Sequence, residues 1–476
     1  MQPAPTRGGN IFKSDPMSIL IRNGIVLTVD QDHRVFQPGW VRIEGDRIAG
    51  VGPGPGPVRQ PADREIDATG MLVLPGLING HAHMTDSLLR SLGADLPLLE
   101  WLEALIWPFF SEATGDEIRA GARLGCLESI QSGTTTVVEN YYSARQNRSN
   151  IDALADAVSR SGLRIALVRG YHDKPSMCPE VFVEGTEELL SEYERIIKTW
   201  HGKVDGRLMT WVGPVDLLSS MPESIVAVHA LARRYGIGVH SHVAESESEL
   251  ELIRREYGSS YVKVLDSLGV LDASFSCAHA VWVDDEEIEI LAERGSAVIH
   301  NPVSNMYLGA GIAPVPEMLK QGVTVALGTD GACCNNTLDM IETMKAAALL
   351  QKVHRCDPAA ISAKDVLRMA TINGARLLGL ETEIGSIEVG KKADVILVDL
   401  SEARTTPTFD PVASLVYSAR GSDVQTVIVD GTILMDGRVV TVFDEDDVLR
   451  QARQGAIELA GRVTAIARLS KGASDD

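Results

Sequence analysis

A chain of 476 residues exceeds what one hydrophobic core usually supports, so a large unit with a smaller companion is expected. Apolar residues make up 45% and charged residues 23%, which excludes a disordered or fibrous chain. The formal net charge of −21, with a pI near 5.0, argues against the basic stripe that phosphate-backbone binding needs, so nucleic acid is not an expected partner.

At the N-terminus the first sixteen residues hold no apolar run of signal-peptide length, and no stretch of about 18 apolar residues follows anywhere, so no membrane partner is expected. Cys126, Cys178, Cys277, Cys333, Cys334 and Cys356 show no CxxC spacing, and a reduced, cytoplasmic setting fits them. From Ser18, short alternating bursts broken by Gly or Asp (SILIRNGIVLTVD, GWVRIEGDRIAGVG) have the texture of a small antiparallel sheet. The same texture returns in KKADVILVDL and VQTVIVDGTILMDGRVV, so residues 1–73 and 381–445 are expected to meet in one β-sandwich. Between 74 and 380, β-rich runs such as TTTVVEN, RIALVRG, GVHSHVAE, FSCAHAVW, SAVIHNP and TVALGTDG alternate with amphipathic stretches, which predicts a parallel sheet, most simply a (β/α)8 TIM barrel. No GxGxxG or GxxxxGK[ST] segment favours an open doubly wound sheet instead. Residues 446–476 read as a helix, packed on the body or on a second subunit, ending in a frayed SKGASDD tail.

In such a barrel, polar residues that end the strands face the active site. LPGLINGHAH ends a β run with His81 and His83, and residues i and i+2 of an extended segment point to the same side, so both imidazoles can share one cation. GVHSHVAES adds His240, His242 and Glu245, CAHAVW adds His279, and VALGTDGA adds Asp330. A catalytic metal takes about three protein ligands and keeps a position for water, and His81, His83, His242 and Asp330 supply that set at successive strand tips. His240 also faces inward by the pleat, either as a further ligand or packed behind the others. His172 and His300 border the site, whereas His33, His201, His229 and His354 read as structural.

The order HxH, HxxE, His and TDG, followed by GSIEVGKKADVILVDL, resembles the mononuclear branch of the amidohydrolase superfamily over nearly the whole chain. The resemblance implies a barrel with a small β-sandwich from both termini, and one divalent ion, Zn2+ or Fe2+, held by His81, His83, His242 and Asp330. Glu245 and His279 would then act in catalysis, together with Asp330, with Glu245 carrying a proton from water to a ring nitrogen and the leaving group. Family members also suggest a homo-oligomer. A dinuclear site would need a bridging lysine from a mid-barrel strand, where TTTVVEN offers Glu139.

Two branches match closely. Methylthioadenosine/S-adenosylhomocysteine deaminases resemble ADLPLLEWLEALIWP, HNPVSNMYLGAGIAPVPEML and GTDGACCNNTLDM, while s-triazine hydrolases share YLGAGIAPVPEM and the stretch from MATINGARLLGL onward. Nucleoside deaminases carry a glutamate two residues after the proline of IWP, where this chain has Phe110, and a histidine after Gly-Pro, where it has Val215. These departures favour a free amino-substituted N-heterocycle, triazine-like or purine/pyrimidine-like, as the small-molecule substrate of hydrolytic deamination. A nucleoside deaminase and a triazine chlorohydrolase are the alternatives. Trp107, Phe110, His172, Asn305 and Cys334 are the expected substrate contacts, with Leu98, Leu99, Trp101 and Phe109 either joining that apolar wall or packing as core.

Overall fold

A computed structural model describes residues 18–57 and 61–472, with side chains described through 463. The leading sixteen residues, on which the expectation about a signal segment rests, lie outside the described residues, as does 473–476 of the tail. The chain opens with β1 (Ser18–Leu27), β2 (Val35–Glu44), β3 (Arg47–Pro53), β4 (Arg64–Asp67) and β5 (Met71–Pro75). It continues with β6 (Leu77–His83), β7 (Thr134–Tyr142), β8 (Arg164–Tyr171), β9 (Leu208–Pro214), β10 (Val239–Val243), β11 (Phe275–His279), β12 (Ala297–His300), β13 (Val325–Leu327) and β14 (Asp330–Gly331). It returns with β15 (Val395–Asp399), β16 (Val424–Val429), β17 (Thr432–Asp436) and β18 (Val439–Val440).

β5 pairs antiparallel with β15, Val73 opposite Leu397, and this joins the two ends of the chain into one mixed nine-stranded sheet. The pleat divides its side chains between two cores. Val73, Val395 and Leu397 pack with Ile19, Val41 and Ile43 in a core of the sheet's own, whereas Leu72, Leu74, Ile396 and Val398 belong to the larger core shared with the barrel. The small sheet is thereby pinned to the barrel by alternate residues of the same strands.

β6 to β13 pair in parallel, strand to neighbouring strand, as connections through helices dictate. Two residues after β13, the chain forms β14, which pairs with β6 through Asp330 and Ala82 and closes the (β/α)8 barrel. Helices such as Thr186–Trp200 cover it with one apolar stripe, Leu189, Tyr193, Ile196 and Ile197, at helical spacing. Their starts are set by side-chain caps, including reciprocal Thr114/Glu117 and Asp284/Glu287 boxes. Closure demands small residues where strands crowd. A Cβ on Gly213 would lie 1.9 Å from the His240 carbonyl oxygen, so only glycine lets β9 approach β10 there.

The last helix, Glu445–Gly472, starts one residue earlier than the pattern predicts and runs three residues into the segment expected to fray. It lies on the body of the protein, against Gly115–Gln131, where Arg462 pairs with Glu117 and Arg123 with Asp447 at 3.1 Å. No helix among the described residues is long and apolar enough to cross a membrane.

Candidate active site

The tips of β6, β10, β11 and β14 bring His81, His83, His242, His279 and Asp330 together, all buried. Ligating atoms of His81, His83 and His242, and again of His81, His279 and Asp330, lie within 4.8 Å of one another. The rings are aimed from behind. His83 Nδ1 meets the Asn140 carbonyl at 2.5 Å and His242 Nδ1 the Val215 carbonyl at 2.8 Å. A carbonyl only accepts, so in both rings the proton sits on Nδ1 and the Nε2 lone pair faces forward. Asp330 completes the ring of donors, its Oδ1 3.5 Å from His81 Nε2 and 3.4 Å from His83 Nε2. Its other oxygen accepts from Ser304 Oγ at 2.7 Å.

Burial raises the Asp330 carboxyl, but the imidazoles beside it, His81 first and then His279 and His83, outweigh it and hold the group well below the usual carboxylate range. Burial pushes His81 down to about 4 and His242 well below the ordinary imidazole value, so both are neutral at neutral pH, the form that ligates metal. Ala244, His279, Ala280 and Asp330 all hold positive φ, from 45° to 72°. Such backbone is uncommon away from glycine and here turns the strand tips into the barrel mouth.

His242, Glu245 and Asp330 open onto a cavity of about 330 Å³. Leu98, Leu99, Trp101, Leu102, Ile106 and Trp107 form its apolar wall. Among the described residues, Glu103, Asp216, Glu245, Glu249 and Asp330 give it five carboxyl groups, and no Lys or Arg lines it. Glu245 Oε2 lies 3.8 Å from His279 Nε2. Burial and the charges of Asp330 and Asp216 keep the Glu245 carboxyl well above its ordinary value.

Residues 72–434 match the family model described as the amidohydrolase family. The chain belongs to the amidohydrolase family. It is 43% identical to the 5'-deoxyadenosine deaminase of Methanosarcina mazei over 94% of this chain and 99% of that protein. It is 43% identical to the 5-methylthioadenosine/S-adenosylhomocysteine deaminase of Desulforudis audaxviator over 93% and 99%. Among solved structures it is similar to an adenosine deaminase from Xanthomonas campestris with bound zinc, at 30% identity and a TM-score of 0.86 over 94% of this chain and 99% of that one.

In this amidohydrolase the donor set fits one divalent ion. His81 Nε2 is buried without a hydrogen-bond partner; His83 and His242 each bring a ligating atom within 4.8 Å of one on His81, and Asp330 Oδ1 lies 3.5 Å from His81 Nε2. His240 is not among the converging groups; its Nε2 lies 2.7 Å from His81 Nδ1, behind the site. Glu139 is fully buried off the cavity, where Oε2 accepts the Met84 amide at 2.7 Å and holds the backbone that follows the HxH pair.

The expected substrate contacts divide. Trp107, His172 and Cys334 line the cavity. Phe110 does not: it is fully buried and packs edge-on against Phe109, Tyr141 and Tyr142. Asn305 is also fully buried off the cavity, its Oδ1 2.9 Å from His279 Nδ1, where it fixes that ring. His300 is buried outside the cavity too.

Tyr142 escaped the sequence reading. Its hydroxyl stands 3.4 Å from His83 Nε2 and 3.3 Å from His242 Nε2, on the cavity wall. Asp216, next to Val215, and Glu249, four residues after Glu245, are two further cavity carboxylates outside the expected set. Position at a barrel strand's C-terminal end was the signal available for Tyr142 and Asp216, whereas Glu249 sits in the helix Glu247–Tyr257 that follows β10.

Proposed function

We propose that this amidohydrolase is a zinc-dependent hydrolytic deaminase of an uncharged adenine nucleoside of the 5'-deoxyadenosine or 5'-methylthioadenosine kind. The observation that carries the reading is the placement of Glu245 beside His279 and Asp330, on the floor of a cavity walled by apolar side chains. His81, His83, His242 and Asp330 would hold the ion, and three imidazoles with one carboxylate suit zinc. When bound, a divalent cation would lower the pKa of water at the site to around 7.

Glu245 takes one proton of the attacking water to a ring nitrogen and carries the second, from the hydroxyl so formed, to the leaving amine, so that C–NH2 becomes C=O beside a ring N–H and ammonia departs. His279, fixed at Nδ1 by Asn305, presents Nε2 toward both Glu245 and Asp330 and orients the adduct.

Relatives named for 5'-deoxyadenosine and methylthioadenosine span almost the whole chain, which supports the nucleoside alternative. Phe110 sits in the core, so its lack of a carboxylate removes no polar group from the described cavity. Glu103, His172, Asp216 and Ser219 line that cavity and can accept from or donate to ribose hydroxyls. The absence of cationic side chains from the cavity lining, among the described residues, disfavours substrates bearing carboxylate or phosphate. The apolar wall suits a methyl or methylthio group at the 5' position.

The free-ring reading keeps one support, Val215, which does line the cavity. Ammonia release from 5'-deoxyadenosine, methylthioadenosine, adenine and melamine, with chloride release from a chlorotriazine alongside, separates them. Turnover of the two nucleosides well above that of the free rings is the expected result. Turnover confined to free rings would restore the Val215 argument, and chloride release alone would make the enzyme a chlorohydrolase.

A further inference from the structure

The carbonyls of Asn140 and Val215 set the tautomers of His83 and His242 directly, but His81 has no such anchor: its Nδ1 faces another imidazole, Nε2 of His240, at 2.7 Å. Two neutral imidazoles in contact can share their proton either way round, and only one arrangement leaves His81 Nε2 free to ligate. The next atoms decide. His240 Nδ1 lies 2.8 Å from Ser276 Oγ, and Ser276 Oγ lies 3.0 Å from the Val239 carbonyl oxygen. His81, His240 and Ser276 are all buried, at 0%, 0% and 2% exposure, so water does not compete for these groups.

The two ends of the chain agree. At the far end the Val239 carbonyl can only accept, so the serine proton goes to it and Ser276 Oγ accepts from His240 Nδ1. That leaves His240 Nε2 unprotonated, as the acceptor of a proton on His81 Nδ1. At the near end, a proton on His81 Nε2 would be buried without a hydrogen-bond partner, the nearest carboxylate oxygen being 3.5 Å away.

We infer that His240 and Ser276 are positioning residues, forming with the Val239 carbonyl a one-way hydrogen-bond relay that fixes His81 as the Nδ1–H tautomer and turns its Nε2 lone pair to the metal position. His240 is therefore retained for its proton, not as a ligand. Gly213 holds it in place, since a Cβ there would collide with the His240 carbonyl. The inference rests on the reading that His81 binds the cation, and its test is split accordingly.

In full-length, metal-free protein labelled with 15N-histidine, His240 is expected to show a protonated Nδ1 and an unprotonated Nε2, whether or not zinc binds. Zinc affinity is then measured by chelator competition. Partners behind metal-bound histidines typically contribute about 10–100-fold in affinity. His240→Phe is expected to weaken Zn2+ by that factor, Ser276→Ala by roughly three- to tenfold, and Ser276→Thr, which keeps the hydroxyl, by less than about twofold. Should His240→Phe fail to fold, the serine pair carries the test, with thermal unfolding of the metal-free variants confirming that both are native. A proton on His240 Nε2 in the wild-type protein, or Ser276→Ala with unchanged zinc affinity, would overturn the relay. Wild-type protein that binds no zinc while keeping the expected His240 tautomer would instead overturn the metal reading alone.

Discussion

Replacing Glu245 with glutamine changes one oxygen for an NH2 and leaves the backbone where it is, because the Glu245 amide is held by Glu249 Oε2 at 2.8 Å. What disappears is a carboxylate able to take a proton and return it. The candidate to replace it is Asp330, whose Oδ2 lies 3.7 Å from the same His279 nitrogen. Asp330 is a poor substitute: Ser304 and the Gly331 amide already bond it, and the surrounding histidines hold it well below the ordinary carboxylate range. General acid–base groups contribute about 10²–10⁴-fold, so with no replacement the kcat of Glu245→Gln should fall by at least about a hundredfold, or about 2.7 kcal/mol of barrier. The assay is steady-state ammonia release from 5'-deoxyadenosine, with the zinc content of each preparation measured in parallel. Zinc should remain at the wild-type level. A rate within tenfold of wild type would remove Glu245 from the proton path, and loss of zinc together with activity would make it a ligand or a structural group instead.

Tyr142→Phe removes only a hydroxyl and keeps the ring packed on Phe110, so zinc affinity should hold while kcat drops by roughly five- to tenfold, the worth of one hydrogen bond; an unchanged kcat would make the phenol a bystander. S-adenosylhomocysteine, which carries a carboxylate, should show a kcat/KM at least about tenfold below that of 5'-deoxyadenosine, because no cationic side chain lines the cavity; equal values would refute the charge argument. Burial, helped by the charge of His279, pushes His300 down to about 3. Its stabilising effect is complete above the unfolded pKa of about 6.5 and is lost as pH falls toward 3, at about 1.4 kcal/mol per pH unit. Denaturant unfolding between pH 6 and 4 should therefore show a shallower loss of stability in His300→Gln than in wild type; equal slopes would mean that His300 titrates alike in both states.

The clustering of His81 and His83 was legible because pleat geometry is local: residues i and i+2 of a strand share a face, and HxH at the end of an apolar run needs nothing else. The strand–helix alternation was legible for the same reason. Side-chain direction inside the barrel was not. β7 is buried at every position from Thr134 to Tyr142, so no alternation tells which face Tyr142 presents, and parallel strands covered on both sides generally hide this. Phe110 lies off the described cavity on similar grounds, since helical spacing does not distinguish a cavity wall from the core behind it. His240 satisfied the inward-facing rule yet stands behind His81, a distinction made by cross-strand packing through Ser276 on β11. Asn305 reaches His279 from a short helix beyond β12, a contact between segments 26 residues apart that no local pattern encodes.

The most direct test of the central claim is a zinc titration of the chelator-stripped protein, following ammonia release from 5'-deoxyadenosine at each addition. No activity is expected without metal, followed by a linear rise and saturation at one zinc per chain. Deamination by the stripped protein, saturation at two ions, or zinc binding without any ammonia release would contradict it.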